Sequence, residues 1–319
     1  MYVHFWGTRG SLPVSVTAEA VRGKVRRALL EGRKHSLKTD HDVEAFLETL
    51  PFSIRGAYGG NTACVEVGGG SETVLCDAGT GLRDFGNAFL KSGRGSSNNP
   101  AVFHIFITHL HWDHIQGFPF FVPAYIPGNR IVVYGVHRDL KRHFSRQQES
   151  PFFPVPLKSL LGDIRFVTLE EDRDYEIAGL SVRAIRQNHP GDSYGYSFRQ
   201  GGRKVVFSTD AEHKGEVDRN ADAFVSFFRN ADLLIFDAQY TLLDAIDTKE
   251  NWGHSSNLTG VELAVRAGVK RLCLFHTEHT YTDEMIEQFY QDTREYLKIH
   301  AGSHPLEILA AYDGLFLEL

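Results

Sequence analysis

The chain has 319 residues, a formal net charge of −6, 42% apolar and 23% charged residues. That is the balance of a folded globular protein, so extended disorder, collagen-like repetition and low-complexity character are excluded. No apolar run approaches the ~18 residues that span a bilayer, and the acidic total disfavours general attraction to nucleic acid, which selects the opposite sign.

The elements follow in chain order. MYVHFWGTRGSLP lacks the basic start and apolar stretch of a leader peptide, so the expected location is the cytoplasm. It reads as a strand, Tyr2–Trp6, and a turn. Thr17–Arg55 stands apart, with helices expected over Ala18–Glu31 and Asp42–Leu50. Arg22, Lys24, Arg26, Arg27, Arg33, Lys34 and Lys38 make it locally basic. It reads as a solvated helical insertion, with a substrate lid or a dimer contact as alternatives. Strands are expected at Ala63–Val67 and Thr73–Asp77, then a helix at Asp84–Leu90 and a loop at Ser92–Pro100. The strand Val102–Ile107 precedes Arg130–Tyr134, the helix Arg138–Gln147, and strands at Ile164–Thr168, Leu180–Ile185, Tyr194–Phe198 and Lys204–Ser208. The helix Asp218–Phe228, strand Leu233–Phe236, helix Leu258–Ala267, strand Arg271–Phe275 and helix Asp283–Ile299 complete the pattern. Val, Ile and Phe fill the strands. Met285, Ile286, Phe289 and Leu297 recur at helical spacing, and Asn257 and Thr282 are expected caps. Early hairpins followed by β–helix alternation predict two sheets covered by outer helices, a layered α/β architecture. Cys64, Cys76 and Cys273 are scattered in apolar runs without CxxC spacing and read as buried thiols.

Thr108-His109-Leu110-His111-Trp112-Asp113-His114 follows the apolar run Val102–Ile107. Alternate residues of an extended segment point the same way, so His109 and His111 can reach one ion together. A following turn can aim Asp113 and His114 at a second. Imidazole and carboxylate suit zinc, and also iron or manganese. Other apolar runs end in the same manner: Leu180–Ile185 leads to His189, Lys204–Ser208 to Asp210, Leu233–Phe236 to Asp237 and Arg271–Phe275 to His276. Loops beyond strand carboxyl ends are where layered α/β proteins gather functional groups. Together these residues supply what a two-metal site needs.

The motif His109-x-His111-x-Asp113-His114 with His189, Asp210 and His276 resembles the metallo-β-lactamase superfamily. Gly7-Thr8-Arg9-Gly10-Ser11, Gly59-Gly60-Asn61-Thr62 and Asp77-Ala78-Gly79-Thr80-Gly81 narrow the likeness to its phosphodiesterase branch, near ribonuclease Z and the cyclic-nucleotide phosphodiesterases. The resemblance covers nearly all of the chain apart from Thr17–Arg55. It implies a four-layer αββα sandwich, one unit over 1–319 with the insertion at about 17–55. It implies a first metal on His109, His111 and His189, a second on Asp113, His114 and His276, and Asp210 bridging both. Zinc is the expected ion, with manganese or iron as alternatives. A hydroxide shared by the ions would attack phosphorus. Asp237 and His254 match the positions that help the leaving oxygen, the carboxylate orienting the imidazole as proton donor.

Asn61, Thr62 and His279 are weaker candidates for substrate contacts, and His213 is another by its closeness to Asp210. Phe118, Phe120, Phe121 and Tyr125 form either a pocket wall or ordinary core. The expected reaction is hydrolysis of a small phosphodiester, a cyclic nucleotide foremost. The tRNA-processing relatives carry a long basic arm between the equivalents of His189 and Asp210, where this chain has only 20 residues. A large nucleic acid partner is therefore disfavoured, and no membrane is expected. The same ligand set serves thioester and lactone hydrolases, against which Asp237, His254 and the opening Gly7–Ser11 segment argue. A metal-containing sensor with little catalysis is the remaining class. Relatives on this side of the superfamily commonly form homodimers, so a homodimer is expected from the resemblance alone.

Overall fold

The computed structural model describes residues 1–213, 221–241 and 252–319. Its first sheet contains β1 (Tyr2–Gly7), β2 (Cys64–Gly68), β3 (Thr73–Cys76), β4 (Val102–Phe106), β5 (Arg130–Gly135), β6 (Asp163–Thr168) and β14 (Phe316–Glu318), in the order β14-β1-β2-β3-β4-β5-β6. The second contains β7 (Asp174–Ile177), β8 (Leu180–Gln187), β9 (Ser193–Gln200), β10 (Arg203–Ser208), β11 (Leu233–Asp237), β12 (Arg271–Phe275) and β13 (Glu307–Ala310), in the order β13-β12-β11-β10-β9-β8-β7. Each sheet is parallel on one side and antiparallel on the other: β3 to β6 run parallel, as do β10 to β13.

Side-chain alternation along the strands builds the layers. Val205, Phe207, Leu233, Ile235, Cys273 and Phe275 meet Val65, Val74, Cys76 and Phe106 of the other sheet in a core between the sheets. The intervening residues Val206, Leu234, Phe236, Leu272 and Leu274 face outward onto α7 (Ala221–Phe228), α8 (Asn257–Ala267) and α9 (Asp283–Ala301). On the opposite side Leu75, Phe103, Ile105, Ile131 and Val133 are covered by Leu82, Phe85 and Phe89 of α4 (Gly81–Lys91) and by Phe118, Phe121 and Phe144. The result is the expected αββα sandwich. Parallel strands covered on both faces explain the continuous apolar runs of the sequence.

The remaining helices are α1 (Ala18–Gly32), α2 (Asp40–Thr49), α3 (Phe52–Arg55), α5 (Trp112–Ile115) and α6 (Leu140–Gln147). Ser256, not Asn257, caps α8: its Oγ accepts from Thr259 N at 3.2 Å, while the Asn257 side chain donates to Thr293 Oγ1 at 2.6 Å. Thr282 caps α9, as expected. The first residues of the expected helix Asp218–Phe228 lie outside the described residues. Phe118 and Phe121 are buried core and Phe120 is 55% exposed, so the aromatic run is chiefly packing. All three cysteines are free and buried. No helix among the described residues is long and apolar enough to cross a membrane.

Candidate metal centre

The carboxyl ends of β3, β4, β8, β10, β11 and β12 open onto one edge of the sandwich, and the polar residues that follow them converge there. Three leave their strands in the left-handed backbone region: Asp77 at φ 60°, Asp210 at 53° and His276 at 60°. Residues other than glycine rarely adopt it, and such strain persists where the surroundings over-determine it. Here it turns each side chain into the gap between the sheets.

His109, His111 and His189 form one group of donors and Asp113, His114 and His276 another, each with its donor atoms within 4.8 Å of one another. His189 Nε2 faces His111 Nδ1 at 3.1 Å. In the second group His114 Nε2 and His276 Nε2 are 3.1 Å apart, and His276 Nε2 lies 3.1 Å from Asp113 Oδ2. Asp210 stands between. Its Oδ1 is 3.7 Å from His109 Nε2 and 3.8 Å from His189 Nε2, while its Oδ2 is 3.1 Å from His114 Nε2 and 3.4 Å from His276 Nε2.

Outer partners fix these rings. His114 Nδ1 donates to Asp77 Oδ2 at 2.8 Å, and Thr108 N donates to Asp77 Oδ1 at 2.8 Å. His189 Nδ1 donates to Gly253 O at 2.8 Å. A Cβ on Gly253 would lie 2.2 Å from that ring nitrogen, and one on Gly10 would lie 2.6 Å from His276 Nδ1. Ser11 N donates to Asp113 Oδ2 at 2.9 Å. Asp77 had no role assigned from sequence beyond its place in a motif, although it follows an apolar run just as Asp210 and Asp237 do. Asp77→Asn can present an amide N–H to His114 and shift the ring proton onto Nε2. The expected outcome is a ~10–100-fold loss of metal affinity, the usual cost of removing such a partner, read by titration against a competing chelator.

The donor chemistry fits divalent cations. His109 Nε2 is buried with no hydrogen-bond partner among the described residues. Burial pushes the His109, His111 and His189 imidazoles below their ordinary range, which keeps their lone pairs free. Burial alone would raise Asp113 and Asp210, but the surrounding imidazoles overcome it and hold both carboxyls well below the usual range. His114 is likewise pushed down by burial, yet Asp210, Asp113 and Asp77 draw its pKa well above the ordinary value. That is a local surplus of negative charge, which a metal ion would balance.

Asp237 and His254 touch: His254 Nδ1 donates to Asp237 Oδ2 at 2.9 Å. The fully buried Asp237 also accepts from Ala211 N at 3.1 Å and Gln239 N at 3.2 Å. The His254 ring stacks on His276, centroids 5.3 Å apart, and meets His189 at 5.1 Å. Burial depresses this imidazole, and Asp237, with Asp210 and Asp113, more than offsets it, for a pKa raised to about 9.

The weaker candidates are placed differently. Asn61 Nδ2 donates to Asp84 Oδ2 at 2.7 Å, and Thr62 Oγ1 accepts from Thr80 N and Gln116 Nε2 at 2.9 and 3.0 Å. Both side chains are thus hydrogen-bonded to neighbours within the protein, Asn61 half-buried and Thr62 fully buried. His279 is partly exposed, its Nδ1 2.6 Å from Glu278 Oε1. His213 lies among Phe224, Phe228 and Phe236 in the outer core.

Residues 72–277 match the family model described as Beta-lactamase superfamily domain. A ribonuclease Z from Natronomonas pharaonis is 27% identical over 273 residues, 70% of this chain and 83% of its own. The metallo-β-lactamase fold protein YhfI of Bacillus subtilis superposes with a TM-score of 0.64 at 17% identity, covering 100% of this chain and 98% of its own. The short form of human tRNase Z gives 0.57 at 22%, covering 100% and 99%. The fold and the relatives define a metal-dependent hydrolase of phosphodiesterase type. The chain belongs to the beta-lactamase superfamily.

Proposed function

We propose that this hydrolase is a binuclear phosphodiesterase acting on a small phosphodiester, a cyclic nucleotide foremost. The observation that carries the reading is the Asp237–His254 pair beside the two donor groups. Two divalent ions, zinc foremost and manganese or iron as alternatives, would supply an activated water and offset charge on the phosphoryl oxygens. His109, His111 and His189 would hold one, Asp113, His114 and His276 the other. Asp210 turns one carboxylate oxygen toward each group and so sets their separation. His254 has its Nδ1 proton held by Asp237, which leaves Nε2 as the atom that protonates the departing oxygen.

The small substrate is supported by the stretch between His189 and Asp210. It is the β9–β10 hairpin, closed at Gly201 and Gly202, and carries no arm. Cleavage of tRNA is the second reading, favoured by the ribonuclease Z relatives and by the exposed Arg22, Arg26 and Arg33 of the 17–55 segment.

The test is hydrolysis of bis(p-nitrophenyl) phosphate and of 2′,3′- and 3′,5′-cyclic nucleotides with added zinc or manganese, against a chelated control. Metal-dependent turnover of a cyclic nucleotide is the expected result. Cleavage of precursor tRNA alone would favour the second reading. Inactivity of metal-loaded protein on every diester would sink both.

A further inference from the structure

The 17–55 segment is fastened onto the acidic first turns of α9. Lys24 Nζ, from α1, donates to Asp283 Oδ2 at 2.5 Å, to Ser53 O at 2.7 Å and to Gly56 O at 2.6 Å. Arg27 pairs with Glu284. Ser53 N and the Tyr58 hydroxyl donate to Glu287 Oε2 at 3.1 and 3.2 Å.

Asp283 also reaches Arg9 of the Gly7–Ser11 turn. Its Oδ1 accepts from Tyr58 N at 3.0 Å and lies 3.8 Å from Arg9 Nη2. Arg9 is only 3% exposed. Its guanidinium donates to Gly59 O at 3.0 Å, Glu278 O at 3.2 Å and Tyr281 O at 3.0 Å. The backbone beside it is laced to the same loop: Gly10 N donates to Thr277 O at 3.0 Å and His276 N to Thr8 O at 3.0 Å. The next residue, Ser11, holds Asp113 through its N–H. The turn that Arg9 anchors thus supports both His276 and Asp113.

We propose that Lys24, Asp283 and Arg9 are positioning residues that couple docking of the 17–55 segment to the Asp113, His114 and His276 group. The proposal rests on the metal reading above. The Asp283 carboxylate is shared between two cations, one from each side. Held by Lys24, the carboxylate backs the Arg9 guanidinium from behind. Without Lys24, or without its own charge, that backing slackens and the guanidinium is less firmly set on the Glu278 and Tyr281 carbonyls. The loop carrying His276 then loses its fastening. The His109, His111 and His189 group rests on Thr108 and Gly253 instead and is untouched.

The experiment is stepwise removal of zinc by a competing chelator from the wild-type chain, Lys24→Met, Asp283→Asn and Lys24→Arg. Lys34→Met is the control, because Lys34, just past the end of α1, makes an exposed pair with Glu31. The expected result is that Lys24→Met and Asp283→Asn release one zinc ~10-fold more readily, at the low end for a supporting partner, with the other unchanged. Lys24→Arg recovers part of the loss, and Lys34→Met behaves as wild type. Equal weakening of both zincs indicates general destabilisation and overturns the coupling, as does wild-type affinity in both variants. If Lys24→Met does not fold, Asp283→Asn decides. A wild-type chain that binds no zinc overturns the metal reading itself, and the coupling with it.

Discussion

Asp210→Ala is expected to lose both ions together, with affinity at each position down by more than ~100-fold, beyond the range typical of an outer partner. The reason is geometric. Asp210 Oδ1 serves the side of His109 and His189, and Oδ2 the side of His114 and His276. Removing the carboxylate takes one donor from each group and the single negative charge that the two share. It also leaves the buried imidazoles with Asp113 as the one carboxylate left in the two donor groups and Asp77 behind His114. His111→Ala makes the contrast. Its ring belongs to the first group, and its loss should reduce the metal content by one ion. Metal analysis of the two purified variants, with hydrolysis of bis(p-nitrophenyl) phosphate beside it, gives the answer. One ion retained by Asp210→Ala would mean that the carboxylate serves a single position.

What the sequence revealed and what it withheld have physical causes. The central strands were legible because parallel strands covered on both faces are near-continuously apolar, as in Leu233–Phe236 and Leu272–Phe275. The edge strands β7, β13 and β14 were not, because short edges carry charge and half-exposed positions, as in Asp174, Glu176, Glu307 and Glu318. The donor residues were legible because they follow strand ends, yet the left-handed turns at Asp77, Asp210 and His276 were not, because Asp and His favour that region without requiring it. Contact between Asp237 and His254, 17 positions apart, depends on how β11 and the start of α8 meet, which no spacing shows. Asn61 and Thr62 stand as weaker candidates in the sequence because polar side chains near a site carry no sign of their partners. Only the fold reveals that Asp84, Thr80 and Gln116 already occupy them. The Gly7–Ser11 motif has its reason in space. Gly10 must lie against the His276 ring, and a Cβ on Gly7 would lie 2.0 Å from Thr62 O.

His254→Ala separates proton donation from mere support. The imidazole makes its hydrogen bond to Asp237, and its other ring nitrogen remains to act on the leaving oxygen. A sugar alkoxide is a poor leaving group and needs that proton, whereas p-nitrophenolate departs without one. The expected outcome is a fall in kcat of ~10²–10³-fold on a nucleotide diester, within the range for a positioned general acid. The fall on bis(p-nitrophenyl) phosphate should be less than ~10-fold on the same argument. Metal content should be unchanged. Asp237→Asn is the less clean probe, because Asp237 also accepts from Ala211 N beside Asp210. An amide there disturbs the bridging position along with the histidine. The decisive comparison is therefore His254→Ala on the two leaving groups. An equal loss on both would remove the proton from the argument. It would make His254 a packing partner of the His276 and His189 rings, and the reading as a phosphodiesterase would then stand on the donor groups and the relatives alone.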